Sequence, residues 1–251
     1  MRGHLGFTLE MSLKDCYERI MRLDPDLEID SFDVAEEVCR IRQFWKPESV
    51  RVVLLAESHA YTRQQDFVNS WQIPRTVHHG KFVRFVYCLA NGESSLVPSI
   101  HRNPGTSQFW KILFSCLNQV SSSEDFGPIL RSTPTQERIA NKIELLSGLK
   151  QAGIWLIDAS IVGINRLKDP NARRRVLEYC ESYTIPILQG LKPSLEHVII
   201  IGATARDALR SKITSLGIGS TPFPQPQARI PMPGYFQYYK SYFEVCSKFK
   251  N

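Results

Sequence analysis

The chain has 251 residues, 43% of them hydrophobic and 22% charged, with a formal net charge of +6. That length can build one well-buried core, and the composition excludes a disordered chain. No apolar run is long enough to span a bilayer, and Cys16, Cys39, Cys88, Cys116, Cys180 and Cys246 are scattered without a CxxC pair, which speaks against a zinc ribbon, an iron–sulfur ligand set or a disulfide framework. The first residues lack the charged-then-apolar order of a signal peptide, so a reducing, cytoplasmic setting is expected. The mild positive charge suits a polyanion partner without requiring one.

In chain order, residues 1–10 read as a loose extension. Residues 12–22 and 33–45 have helical spacing; in the second, Val34, Val38, Ile41 and Trp45 share a face, and Ser31 or Asp33 can cap it. Val52–Leu55 is a short apolar run after Lys46-Pro47 and reads as a buried parallel strand. Phe82–Leu89 is rich in aromatic and β-branched residues, which predicts a second strand or a packed extended segment. Helices are expected over 107–118 and 135–149. Gly153–Ile157 is a third strand, ending in Asp158. Residues 171–182 form a charged helix whose Arg173-Arg174-Arg175 run reads as a solvated face. His197–Ile201 is a fourth strand and 203–215 a helix. The stretch 218–234 carries five prolines and reads as loop. An aromatic helix over 235–247 closes the chain.

Continuously apolar strands alternating with helices predict an α/β fold: a three-layer αβα sandwich with a central, mostly parallel four-stranded sheet, in one domain over 1–251. In such sheets ligands bind beyond the carboxyl ends of the strands. After the first strand the chain reads Ala56-Glu57-Ser58-His59-Ala60-Tyr61. Its small residues allow a tight turn, and Glu57, His59 and Tyr61 can supply acid/base and stacking groups. Asp158 emerges from the third strand either as a helix cap or as a pocket ligand. Gly202-Ala203-Thr204 turns tightly into a helix whose amides can face a phosphate, although the P-loop lysine and glycine spacing are absent. Pro222-Phe223-Pro224-Gln225-Pro226 is a stiff extended segment.

These stretches, in this order, resemble the uracil-DNA glycosylase superfamily over roughly residues 50–245. Ala56-Glu57-Ser58-His59-Ala60 is similar to the family's first motif, of the type Gly-Gln-Asp-Pro-Tyr or Gly-Glu-Ala-Pro-Gly. Gly153–Ala159 is similar to its base-recognition strand Gly-Val-Leu-Leu-Leu-Asn-Thr, with Asp158 at the Asn position. His197–Gly202 matches a strand opening with His-Val, and Phe223-Pro224-Gln225-Pro226 its His-Pro-Ser-Pro loop. Two departures stand out. Ser58 occupies the place of a water-activating Asp in one branch, and Phe223 the place of a catalytic His.

The resemblance implies a DNA glycosylase that hydrolyses the N-glycosidic bond of a flipped-out base, with DNA as partner, no cofactor, no metal and no membrane. A monomer is expected. Glu57 and Asp158 are the implied catalytic residues. Ser58, His59, Ala60, Tyr61, Phe85 and Asp158 are the implied base-binding set, with Tyr87 an alternative stacking ring. Gln225, Gln227, Arg229 and Thr204 are the implied DNA contacts. An ionised Asp158 only accepts hydrogen bonds, so it would repel uracil O4 and welcome a cytosine N4 amino group. The substrate implied is a modified cytosine, such as hydroxymethylcytosine or its glucosylated form, in DNA repair or phage defence. Two other classes compete: a non-catalytic DNA-binding protein on the same fold, and an esterase using Ser58 and His59, which the missing Gly-x-Ser-x-Gly elbow disfavours.

Overall fold

The structure is a computed structural model that describes residues 4–226 and 234–249, with side chains described from Leu13 onward. Its elements in chain order are α1 (His4–Leu23), α2 (Phe32–Phe44), β1 (Val52–Ala56), α3 (Gln64–Phe67), β2 (Ser70–Gln72), β3 (His79–Lys81), α4 (Ser107–Leu117), α5 (Thr135–Gln151), β4 (Ile154–Asp158), α6 (Pro170–Leu191), β5 (His197–Ile201), α7 (Ala203–Ser215), β6 (Gly219–Phe223) and α8 (Gly234–Cys246).

The three apolar runs VVLLA, IWLID and HVIII are too short for core helices and rich in β-branched or bulky residues. They become the heart of one sheet, ordered β4-β1-β5-β6 and parallel throughout. Every residue of β1 and β4 is buried, as strands covered on both faces require. Helix α6 packs on both α1 and α7, α4 packs on both α5 and α8, and the sheet lies between helical layers. The register sets Ala56 opposite both Asp158 and Ile201, so β1, β4 and β5 end level. The chain passes from β1 to β4 on one side and then to β5 on the other. The sheet therefore reverses direction at β1, the kind of crevice where α/β sheets take ligands. All six cysteines are buried, and none is joined in a disulfide.

The structure corrects the sequence expectations in five places. Phe82–Leu89 is not a strand. It folds into turns, with the Cys88 amide donating to Phe85 O at 3.1 Å and the Asn91 amide to Cys88 O at 2.8 Å. Its apolar content serves to seal the edge of β4: the Tyr87 hydroxyl accepts from the Leu156 amide at 2.9 Å. An edge amide that would otherwise lie buried without a partner is satisfied in this way. Second, the stretch expected as loop from 218 begins with strand β6. Pro222 and Gly219 disguise it, and they are tolerated because β6 is an edge strand, where a missing donor costs no ladder bond. Third, a small antiparallel hairpin, β2–β3, pairs Trp71 with Gly80 in a stretch where the sequence predicts no strand. Fourth, the charged helix runs on past 182 to Leu191 and through Pro186. It starts at Pro170, where Asp169 Oδ1 accepts from the Asn171 amide at 2.9 Å. Fifth, helix α1 likewise runs longer than 12–22.

Candidate active site

The segment after β1 is held by a residue the sequence reading missed. Asp30, just ahead of α2, is buried, and its carboxylate accepts from three places. Oδ1 takes the Thr62 amide at 2.6 Å, and Oδ2 takes the Gly163 amide and His59 Nε2, the latter at 3.0 Å. Asp30 thus ties residues 59–62 to the segment that follows β4. The two segments touch so closely that a Cβ on Gly163 would sit 2.5 Å from the Tyr61 nitrogen and 2.8 Å from Asp30 Oδ2. Further bonds join them: the Ser160 amide to Glu57 O at 2.9 Å, the Ile164 amide to Ser58 Oγ at 3.3 Å, and the Tyr61 amide to Asn165 Oδ1 at 2.6 Å.

Asp158 is the last residue of β4, and the next helix starts only at Pro170, so it caps no helix. Instead its Oδ2 accepts from Arg42 Nη2 at 2.9 Å, and His59 Nδ1 stands 3.4 Å from the same oxygen. Arg42 is another residue missed. Its signal was available, because it lies four residues after Val38 on the apolar stripe of α2, a place where a charge must find a buried partner. The result is an alternating chain, Asp30–His59–Asp158–Arg42, with all four residues buried. Burial alone would push the His59 imidazole down. The carboxylates of Asp158 and Asp30 outweigh it and raise His59 to about 9, so the ring is a cation at neutral pH. Arg42 is likewise raised: desolvation opposes its charge and Asp158 overcomes it.

Two of these groups, His59 and Asp158, line a cavity of about 300 Å³ at the carboxyl ends of the strands. That is the lower end of the volume of small-molecule sites. Three of the four strand ends of the main sheet contribute: Glu57, Ser58, His59 and Ala60 follow β1, Asp158 ends β4, and Gln225 follows β6. After β5, Gly202 stands behind this lining with φ +111°, a backbone only glycine adopts readily. A Cβ there would fall 2.4 Å from Glu57 Oε1 and 2.6 Å from Gln225 Nε2, so the missing side chain is what lets both polar groups into place. Phe85 and Phe109 supply aromatic wall, and Thr106 Oγ1 is buried without a hydrogen-bond partner. Arg84 and Arg173 complete the basic side of the lining.

Seven of the residues singled out from sequence therefore meet on one wall: Glu57, Ser58, His59, Ala60, Phe85, Asp158 and Gln225. Others do not. Tyr61 is off the cavity, its ring 4.4 Å from the Arg166 guanidinium. Tyr87 is buried behind Phe85, edge-on to it at 5.2 Å. The Thr204 amide, expected to face a phosphate, donates to Glu57 Oε1 at 3.1 Å instead, which sets the Glu57 carboxylate at the positive end of α7. Phe223 ends β6 and packs on Tyr242 at 4.6 Å. Gln227 and Arg229 lie outside the described residues. Asn165, Thr106 and Phe109 had no distinguishing sequence signal.

Among the described residues, no cluster of His, Cys, Asp or Glu is placed to hold a metal ion, and no helix is long and apolar enough to cross a membrane. No protein-family model matches the chain, and no curated protein matches it. Among solved structures, the chain is similar to UNG from Nitratifractor salsuginis in two crystal structures. For the wild type, identity is 14% and the TM-score 0.42, over 86% of this chain and 80% of that one. For a point mutant, identity is 14% and the TM-score 0.43, over 85% and 78%.

Proposed function

We propose that the protein is a DNA glycosylase that hydrolyses the N-glycosidic bond of a flipped-out base, with a modified cytosine as substrate, in phage defence or repair. The observation that carries this reading is the convergence, in one cavity beyond the strand ends, of Glu57, Asp158 and Phe85. They are a carboxylate beside the scissile bond, a carboxylate that reads the base edge, and a ring on which the base stacks. Extruding a base from the duplex costs a few kcal/mol, roughly, and a closed aromatic pocket returns it through burial and stacking. Glycosidic cleavage passes through an oxocarbenium-like sugar, which a nearby carboxylate stabilises. Glu57 fills that role, or orients the attacking water, from a position fixed by Thr204 and Gly202. Small Ser58 and Ala60 leave room for a substituent on the base, which a cytosine-directed enzyme needs in order to spare ordinary cytosine. DNA as partner is further supported by the net charge of +6.

The test is a strand-break assay on DNAs containing uracil, hypoxanthine, 5-hydroxymethylcytosine or glucosylated hydroxymethylcytosine, with alkali to open abasic sites. Breaks on one modified cytosine, lost in Glu57→Ala, are expected. Breaks on uracil alone would keep the glycosylase and sink the modified-cytosine reading. A second reading, a non-catalytic DNA-binding protein, is favoured by two observations: the Glu57 oxygen is already bonded to a helix amide, and Phe223 stands where the resemblance implies a histidine. Tight DNA binding without breaks on any substrate would establish that reading.

A further inference from the structure

We infer that Asp30, His59 and Arg42 form a charge clamp that pairs and orients the Asp158 carboxylate and thereby restricts the cavity to bases that present an amino group. The inference rests on the glycosylase reading for its ligand class, and its geometry stands on its own. Arg42 and His59 both address Oδ2 of Asp158, at 2.9 and 3.4 Å. Neither takes Oδ1, and Asp158 lines the cavity. A lone carboxyl at the buried end of a strand would be driven toward its neutral form by desolvation, and a neutral acid can donate to a carbonyl oxygen. The guanidinium and imidazolium beside Oδ2 complement a carboxylate, which can only accept from a ligand.

The clamp is anchored from outside the cavity. His59 keeps its proton because its far nitrogen faces Asp30 at 3.0 Å. Asp30 is itself held by the Thr62 and Gly163 amides, so it does not swing away. Arg42 is fixed by α2 and lies with its guanidinium 5.5 Å from the Phe85 ring, so the residue that pairs Asp158 also backs the stacking wall. The titratable groups facing the clamp are Tyr17 beside Asp30, Cys39 and Tyr183 beside Arg42, and Tyr87 beside Asp158. Burial pushes the three tyrosine hydroxyls up, so they supply no charge that would cancel it. His59, Asp30 and Arg42 are positioning residues: each acts on the ligand through Asp158.

A carboxylate facing a base accepts from an exocyclic amino group and repels an exocyclic oxygen. Where a buried polar group is left unpaired by the wrong ligand, discrimination reaches several orders of magnitude. The direct test uses two DNAs that differ only in the exocyclic group and the adjoining N3 proton of one base, 5-hydroxymethylcytosine and 5-hydroxymethyluracil in the same sequence. Excision rate is measured, and binding affinity where neither base is released. The wild type is expected to favour the amino base at least tenfold. Asp30→Asn and His59→Gln are each expected to erase most of that preference, and Asp158→Asn to reverse it. In parallel, nitrogen-15 NMR of the wild-type histidines reads the His59 ring without any DNA, and a doubly protonated ring at pH 7.5 is expected. A neutral His59 at pH 7.5, or a base preference unchanged in folded Asp30→Asn, would overturn the clamp. Absence of excision with the amino preference intact in binding would overturn the catalytic reading and leave the clamp standing.

Discussion

Replacing His59 by Gln should remove a specific pH dependence from the stability of the fold. The imidazole rises from its ordinary 6.5 to about 9 because Asp158 and Asp30 outweigh the desolvation that opposes its charge. A group raised in the folded state binds its proton more tightly there than in the unfolded chain. Its contribution is therefore complete below pH 6.5 and disappears as the pH climbs through 9. The shift is worth about 3 kcal/mol at pH 5.5 and only about 1 kcal/mol at pH 8. The wild type should thus lose about 2 kcal/mol across a window in which unfolded cysteine thiols, near about 8.5, are still mostly protonated. His78 and His197 are pushed down by burial, and they stabilise in the opposite direction as pH rises. They are common to both proteins and cancel in the comparison. Urea unfolding at pH 5.5 and pH 8 measures the difference. His59→Gln should be less stable overall, with the pH-dependent loss reduced by about 2 kcal/mol relative to wild type. Parallel pH profiles in the two proteins would refute the charged-ring assignment.

Two further substitutions probe the site and its surroundings. Gly202→Ala places a methyl group against Glu57 and Gln225 and forces alanine to φ +111°. It should cost about 1–3 kcal/mol by thermal melting, displace both side chains, and lower base excision at least about tenfold; unaltered melting and activity would remove Gly202 from the site's architecture. Glu93 is buried against Arg138 at 2.5 Å and Lys142 at 2.6 Å, remote from the strand ends. Glu93→Gln leaves two buried cations without their carboxylate, and the melting temperature should fall by on the order of 10 °C, from about 3–5 kcal/mol lost. A fall of only a degree or two would mean that the cations reach water freely.

The sheet was legible because its central strands are buried on both faces and therefore written as unbroken apolar runs. The positions after them followed from topology alone, which is why Glu57 and Asp158 were found as neighbours of one cavity. What stayed hidden has a common physical cause: it depends on contacts distant in sequence. Phe82–Leu89 has the composition of a strand, yet it is buried by covering β4 rather than by pairing. Strand β6 hides behind Pro222 because an edge strand can do without that donor. Asp30 lies in a polar stretch before a helix, where a cap is the ordinary reading. Its partners at 59, 62 and 163 come together only in the folded chain. Arg42 could have been suspected from its place on the buried stripe of α2, although nothing in sequence names Asp158 as its partner.

The measurement that tests the account most directly is release of free base. Purified protein would be incubated with duplex and single-stranded DNA carrying 5-hydroxymethylcytosine or its glucosylated form, and the supernatant analysed by mass spectrometry beside Glu57→Ala. The account predicts that the modified base appears intact in solution, in step with alkali-labile sites, and that the variant releases at least about a hundredfold less, as expected for a group acting in the transition state. No free base from any of these DNAs, with DNA binding retained, would contradict it.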